Sequence, residues 1–161
     1  MLSNSSRQLE KVFTLACKRA CSSKSKVLIP GQEFSISKCF TQDEVLHFLH
    51  ATGDANPLHV DAAAVQAAGL SSPPWRPLLP GILMASLFPA IIGSHFPGAL
   101  YASQTLSFRS PALVGDVLHA HVTVGKCSGR RITFATQCVH AHTGRVLVDG
   151  TALALLPSSQ E

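Results

Sequence analysis

The sequence predicts an α+β domain in which an antiparallel sheet wraps around one buried helix, and three observations support this prediction. Residues 81–96 are apolar on every side of a helix, which indicates burial on every side. Four segments after residue 99 alternate apolar and polar residues, as half-buried strands do. The turns Ser128-Gly129-Arg130 and Thr143-Gly144 separate the last three of these segments. A one-faced apolar sheet and a wholly apolar helix bury both surfaces when the sheet curls around the helix.

The boundaries of the elements follow from capping, turn and periodicity signals. Thr41 and Glu44 have capping-box spacing, so a helix is predicted to begin at Thr41 and to stop near Gly53. Gly69 is predicted to end a second short helix, and Pro89 to kink or interrupt the buried one. The predicted elements are strand 33–40, helices 41–53 and 61–68, loop 71–80, buried helix 81–96, and strands 100–109, 117–126, 131–142 and 146–156. This combination predicts a hot-dog fold.

Two of the predicted strands have clear apolar faces. In strand 117–126 the apolar face is expected to consist of Leu118, Ala120, Val122 and Val124. In strand 100–109 one face is expected to carry Leu100, Ala102, Gln104, Leu106 and Phe108. Such alternation places the residues of one face against the helix and the others toward solvent.

The positive charge of the chain is confined to its first 26 residues. The net charge of +4 divides into +5 for residues 1–26, with six Lys or Arg and one Glu, and −1 for residues 27–161. The domain therefore lacks the basic stripe of a nucleic-acid binder, and we expect no nucleic-acid partner. The buried helix is too short and too interrupted to cross a membrane, so no membrane span is expected.

Residues 1–26 are predicted to be a mitochondrial transit peptide ahead of a domain at 27–161. The segment is rich in Ser, Arg and Lys, is almost free of acid, and places Val12, Leu15, Ala16 and Arg19 at helical spacing. A disordered basic arm is the alternative. The five cysteines, at positions 17, 21, 39, 127 and 138, form no CxxC pair, which indicates free thiols in a reducing compartment.

The octapeptide TGDANPLH is the strongest candidate for chemistry. Gly53 ends a helix and Pro57 stiffens a turn, so Asp54 and His59 are expected to be held on a rigid loop. A carboxylate and an imidazole that face one space can hold a water molecule and exchange protons near neutral pH. The same loop also suits helix capping, in which Asp54 and Asn56 satisfy backbone groups, and composition alone favours that interpretation.

This segment resembles the signature of the MaoC-like (R)-specific hydratases. The resemblance rests on GDANPLH at 53–59, Asp61, AAG at 67–69, PGIL at 80–83, YASQTLSFRSP at 101–111 and VGD at 114–116, and it covers about residues 30–156. It implies a hot-dog fold and reversible dehydration of (3R)-3-hydroxyacyl thioesters to trans-2-enoyl thioesters. With the transit-like tail, it implies a member that serves fatty-acid synthesis in the mitochondrial matrix.

The resemblance also implies roles for individual residues. Asp54 and His59 would be the catalytic pair, and the backbone N–H of Gly81 would polarise the thioester carbonyl as an oxyanion donor. The residues expected to bind substrate are Asn56, Ile82 and Leu83. No metal and no cofactor are implied. The implied partners are an acyl thioester of acyl carrier protein or coenzyme A, and a second copy of the chain, since relatives pair two sheets into one with the acyl tunnel at the interface.

The sequence departs from the family pattern at two places. Pro80 stands where the family usually has His, so any role of that His is lost. The loop 71–79 is longer than the family pattern, and Trp75 and Arg76 have no counterpart. We interpret Arg76 as a solvated loop charge, with contact to a coenzyme A or phosphopantetheine phosphate as the alternative.

Two His-x-His pairs raise the alternative of a zinc site. If the turn between their strands centres on Gly129-Arg130, His119 faces His140 and His121 faces Cys138 across antiparallel strands. These residues, together with His142, alternate with apolar ones, so a solvated face is the favoured interpretation.

Two other functions are compatible with the fold. A hot-dog thioesterase would use a carboxylate and water to cut the thioester, and a non-catalytic module would only bind the acyl thioester. The combination of Asp54 with His59 five residues later disfavours both.

Overall fold

The computed structural model describes residues 28–157, so the predicted transit peptide and its two cysteines lie outside the described residues. The strands are β1 (Glu33–Cys39), β2 (Leu100–Phe108), β3 (Val117–Ser128), β4 (Arg131–His140) and β5 (Val146–Leu155). The helices are α1 (Gln42–Thr52), α2 (Ala62–Ala67), α3 (Gly81–Ala85) and α4 (Leu87–His95), with a 3₁₀ turn at Pro57–His59. The strands form one antiparallel sheet in the order β1-β3-β4-β5-β2, which confirms the predicted architecture.

Helix α1 has both of its predicted ends. The side chain of Thr41 accepts a hydrogen bond from the backbone N–H of Glu44, and the Glu44 carboxylate accepts one from the N–H of Thr41. The hydrogen bond from Lys38, followed by that from Thr41, lowers the pKa of Glu44 below its ordinary value. At the other end, Gly53 adopts φ = 72°, a conformation that costs glycine little.

The central helix is divided into α3 and α4 at Ser86. Pro89 explains the break, because it has no N–H to donate and its ring would meet the carbonyl of Ala85 in an unbroken helix. The prediction of an interruption at Pro89 is therefore confirmed. Burial on every side is not, because Ile82 is 56% exposed.

The core lies between the concave face of the sheet and this divided helix. On β3 the predicted face is confirmed, and its residues, Leu118, Ala120, Val122 and Val124, are all buried. On β2 the predicted face is correct at Leu106 and wrong at Leu100, because a bulge between Tyr101 and Ser103 shifts the register. Tyr101 and Leu106 consequently both pack against the core, while Leu100 and Phe108 are 62% and 55% exposed. Burial raises the pKa of Tyr101 to about 12.

The register between β3 and β4 contradicts the predicted histidine pairing. His119 lies opposite Val139, and His140 lies opposite Leu118, one residue away from the predicted partners. A register shift between Val124 and Cys127 causes the difference, because it adds one residue to β3 only. One-residue offsets turn side chains to opposite faces, so His119 and His140 do not face each other. Within residues 28–157, no group of three or more His, Cys, Asp or Glu side chains could hold a metal ion.

Strand β4 ends at His140 rather than at the predicted His142. The N–H of Gly144 donates to the carbonyl of His140, which starts the turn there. The Nδ1 atom of His140 also accepts from the N–H groups of His142 and Thr143, at 3.2 and 3.4 Å.

Over the described range of the chain, no helix is long and apolar enough to span a membrane.

Candidate active site

The loop after α1 is built by two short polar side chains. Oδ1 of Asp54 accepts from the backbone N–H of Asn56 at 3.0 Å, and Oδ1 of Asn56 accepts from that of Leu58 at 3.1 Å. The capping interpretation is thus correct for one oxygen of each side chain. It does not account for the second carboxylate oxygen of Asp54, which faces His59.

His59 is oriented by a backbone carbonyl from a distant segment. Its Nδ1 lies 2.9 Å from the carbonyl oxygen of Leu78, and because a carbonyl can only accept, Nδ1 must carry the proton. In the neutral ring, Nε2 then presents a lone pair, and it lies 3.8 Å from Oδ2 of Asp54. The His59 side chain is 13% exposed and that of Asp54 37%, so the pair lies at the edge of the interior.

The backbone around His59 is fixed from two sides. Nε2 of Gln42, in the first turn of α1, donates to the carbonyl of His59 at 3.1 Å. The N–H of Leu78 donates to the carbonyl of Leu58 at 2.8 Å. The loop is therefore tied both to α1 and to the segment that leads into α3.

Gly81 lies in the first turn of α3, where its N–H has no acceptor within the helix. It lines a cavity of about 380 Å³ together with Ile82, Met84 and Phe108. A Cβ atom added at Gly81 would lie 2.6 and 2.7 Å from two atoms of the Phe108 ring, so glycine permits the ring to approach closely. The helix behind Gly81 is only five residues long, so the N–H group itself would be the donor, not a long helix dipole.

The structure brings Asp54 and His59 together and connects Gly81 to them through the backbone. Gly81 follows Leu78, the partner of His59, by three residues, which span at most about 10 Å. Asp54 lines a separate groove of about 610 Å³ along α1. Of the predicted substrate-binding residues, Asn56 is in the loop and Ile82 lines the cavity with Gly81, whereas Leu83 is buried in the core.

The sequence did not identify three residues that shape the site. Gln42 and the Leu78 carbonyl act through backbone hydrogen bonds between segments far apart in sequence, which leave no local pattern. Phe108 was placed on the same strand face as Leu106, but at the end of β2 its ring lies against Gly81 instead.

Arg76 is not the solvated loop charge that the sequence suggests. Its Nη1 donates to the carbonyl of Val114 and its Nη2 to Oδ1 of Asp116, both at 2.6 Å. Oδ2 of Asp116 accepts from the N–H of Leu113 at 2.9 Å. Arg76 therefore joins the proline-rich loop to the segment before β3.

Comparison with known proteins places the chain in a family. The family model of the MaoC like domain matches residues 27–146. The chain belongs to the MaoC-like domain family. A mitochondrial 3-hydroxyacyl-acyl-carrier-protein dehydratase of Solanum lycopersicum is 40% identical over 141 residues, which cover 85% of this chain and 82% of that one.

A bacterial protein and its solved structure are also similar to this chain. An (R)-specific enoyl-CoA hydratase of Aeromonas caviae is 35% identical over 79% of this chain and 94% of its own length. A solved structure described as the (R)-hydratase from A. caviae involved in PHA biosynthesis superposes with a TM-score of 0.74 at 34% identity, covering 83% of this chain and all of that one. The likeness therefore extends over essentially the whole described domain.

Proposed function

We propose that this MaoC-like protein is a hydro-lyase that reversibly dehydrates (3R)-3-hydroxyacyl thioesters to trans-2-enoyl thioesters. The observation that carries the proposal is the pairing of Oδ2 of Asp54 with Nε2 of His59 across 3.8 Å, on a loop tied to α1 and to the segment before α3. The relatives that are dehydratases or hydratases of such thioesters support it.

The gap between the two groups suits one water molecule. A separation of 3.8 Å exceeds a direct hydrogen bond, but a water can lie about 2.8 Å from both atoms if it sits off the line that joins them. When Asp54 is ionised and His59 is neutral with its proton on Nδ1, both groups are acceptors. They would accept the two O–H groups of the water and direct its lone pair toward C3 of the substrate.

In the hydration direction, one member of the pair takes a proton as the water oxygen bonds to C3. The electron pair of the C2–C3 double bond moves toward the thioester carbonyl, whose oxygen accepts the N–H of Gly81. The pair then returns a proton to C2, so water is added without net change to the protein. Dehydration is the reverse. Either Asp54 or His59 can transfer each proton in this scheme, so neither step is assigned to one residue.

We propose that residues beside the Gly81 cavity and in the Asp54–His59 loop bind the substrate. Ile82 and Gly81 line one cavity, so Ile82 would contact the acyl chain next to the carbonyl. Asn56 has its amide nitrogen left over after its oxygen caps the 3₁₀ turn, and that nitrogen would donate to the substrate. Leu83 would act from the core by supporting the cavity wall.

A crotonyl thioester assay tests the function. We expect the purified protein to remove the enoyl absorbance without releasing a free thiol, because water adds to C3 and the thioester stays intact. Thiol release would instead identify a hot-dog thioesterase, and no change in either signal would identify a module that binds without catalysis. Both of these outcomes contradict the hydro-lyase proposal.

We further propose a homodimer formed along β2. Among the strands of residues 28–157, β2 pairs only with β5, so its outer edge carries no described strand, and Leu100, Phe108 and Ile82 expose apolar surface near it. Pairing of two copies about a two-fold axis would extend the sheet and cover these side chains. We expect light scattering at micromolar concentration to give twice the mass of the chain. A fully active monomer under these conditions would rule the dimer out.

We propose that the protein acts in the mitochondrial matrix, in fatty-acid synthesis, and that residues 1–26 direct it there. The charge of +5 in this segment and the mitochondrial relatives support the proposal. Deletion of residues 1–25 should leave hydratase activity intact, because the segment lies outside the MaoC-like match, and should abolish import into isolated mitochondria. Import of the shortened chain at normal efficiency would show that the address lies elsewhere.

A further inference from the structure

A second polar cavity, of about 510 Å³, lies away from Asp54 and His59, neither of which lines it. One wall comes from the proline-rich loop and the other from the end of the sheet. Its polar lining consists of Ser71, Ser72, Arg76, Asp116, His140 and Arg145. Pro111 borders both this cavity and the one that contains Gly81, so the two cavities adjoin. Its volume is in the range of small-molecule sites.

The acidic group in this cavity is already neutralised. Asp116 is 10% exposed, and its carboxylate forms an ion pair with Arg76 and accepts the N–H of Leu113. His140 uses Nδ1 to accept two backbone N–H groups, so in the neutral ring its proton lies on Nε2, which faces Asp116 at 3.6 Å. These contacts leave no free negative charge on the wall.

Arg145 supplies an uncompensated positive charge. Its Nη2 donates to the carbonyl of Pro111 at 2.9 Å, and over residues 28–157 it forms no ion pair with an acid. The other guanidinium N–H groups remain available. The cavity thus carries about one net positive charge, and it adjoins the cavity that contains Gly81.

The other lining groups are hydrogen-bond donors. Ser72 is exposed, and the buried hydroxyl of Ser71 has no hydrogen-bond partner among residues 28–157. Its hydrogen-bonding capacity is therefore not used by these protein groups. Arg76 keeps its Nε–H after its bonds to Val114 and Asp116. Several donors around one positive charge fit an anion with several acceptor oxygens, and a phosphate ester has this chemistry.

We propose that this cavity binds the phosphate of the phosphopantetheine arm that carries the acyl thioester. The proposal rests on the proposed function, because it places the thioester at Gly81 and the arm past Pro111. Acyl carrier protein and coenzyme A both attach the acyl group through phosphopantetheine, so the site would bind the phosphate that they share. Arg145 is the principal contact, with Ser72 and the Nε–H of Arg76 as further donors.

The experiment compares crotonyl-pantetheine with crotonyl-phosphopantetheine in the wild-type protein and in Arg145→Gln. We expect the phosphate to lower KM in the wild type and Arg145→Gln to remove most of that advantage, about tenfold or more for one charge-assisted contact. KM for crotonyl-pantetheine should not change. Arg130→Gln is the matched control, because Arg130 also donates to one carbonyl, that of Leu156, at the far end of the sheet.

Direct binding separates this proposal from the proposed function. Calorimetry with phosphopantetheine, which has no acyl group, should detect binding to the wild type and a loss in Arg145→Gln, whether or not the protein hydrates crotonyl thioesters. Equal changes in KM for both substrates, or no change for either, would overturn the phosphate site. Crotonyl-coenzyme A and the crotonyl carrier protein should both respond to Arg145→Gln. A response confined to coenzyme A would contradict the shared phosphate and point to its nucleotide part.

Discussion

Replacing Asp54 by asparagine is expected to lower the turnover of a 2-enoyl thioester at least about 10²-fold without destabilising the protein. The amide keeps an oxygen that can accept the N–H of Asn56, so the loop should keep its shape. It cannot take up a proton, and its NH₂ group would face Nε2 of His59 as a donor where the water should sit. Turnover and thermal midpoint, measured on the same preparation, check both parts of the prediction.

His59→Ala should have a similar effect, and the double variant should lose little more than either single one. Two residues that handle one water act as a unit, so the second loss adds little once the first has occurred. His59 also holds Leu78 through Nδ1, so its replacement should lower the thermal midpoint slightly, which Asp54→Asn should not.

The chain offers a matched control for Asp54. Asp61 is also an exposed aspartate on a short loop, and its Oδ1 accepts the N–H of Ala63 as the cap of α2. Asp61→Asn should leave both turnover and stability unchanged, because asparagine caps helices as well as aspartate does. If Asp54→Asn behaved like Asp61→Asn, Asp54 would be a capping residue and the catalytic assignment would be wrong.

The sequence predicted those parts of the fold that depend on neighbouring residues. The capping box at Thr41, the glycine stop at Gly53 and the interruption by Pro89 each involve groups within one helical turn. The buried face of β3 follows from strict alternation. These signals depend only on neighbouring residues, so the packing of the rest of the chain does not change them.

The two errors of strand register share a physical cause, which is a residue inserted into one strand of a pair. The bulge at Ala102 reverses the expected face of Leu100, and the shift between Val124 and Cys127 moves His119 away from His140. The alternation of polar and apolar residues in the sequence looks regular on both sides of such an insertion, so the pattern does not reveal it. The sequence motif identified Asp54 and His59 as candidates, but it did not predict how their side chains are oriented. The carbonyl of Leu78, which orients His59, lies nineteen positions away in the sequence.

Gly150→Ala is expected to lower the free energy of unfolding by at least about 2 kcal/mol, in the upper part of the range for overpacked substitutions. A Cβ atom at this position would overlap the backbone oxygen of Thr105 and lie 2.8 Å from its carbonyl carbon. Backbone atoms cannot rotate aside as a side chain end can, so β2 would have to move away from β5. The thermal midpoint should fall by roughly 5–10 °C.

Gly93→Ala is the matched control for this substitution. Gly93 lies in α4, and a Cβ atom there would meet nothing within 4 Å, so alanine should raise the free energy of unfolding by about 0.5–1 kcal/mol through helix propensity. Both variants add one methyl group to a glycine, and the expected changes in the free energy of unfolding have opposite signs. Because β2 is the edge strand proposed to pair two copies of the chain, Gly150→Ala should also weaken the dimer, whereas Gly93→Ala should not. An unchanged midpoint and an unchanged dimer in Gly150→Ala would mean that β2 and β5 are not packed as closely as the structure places them.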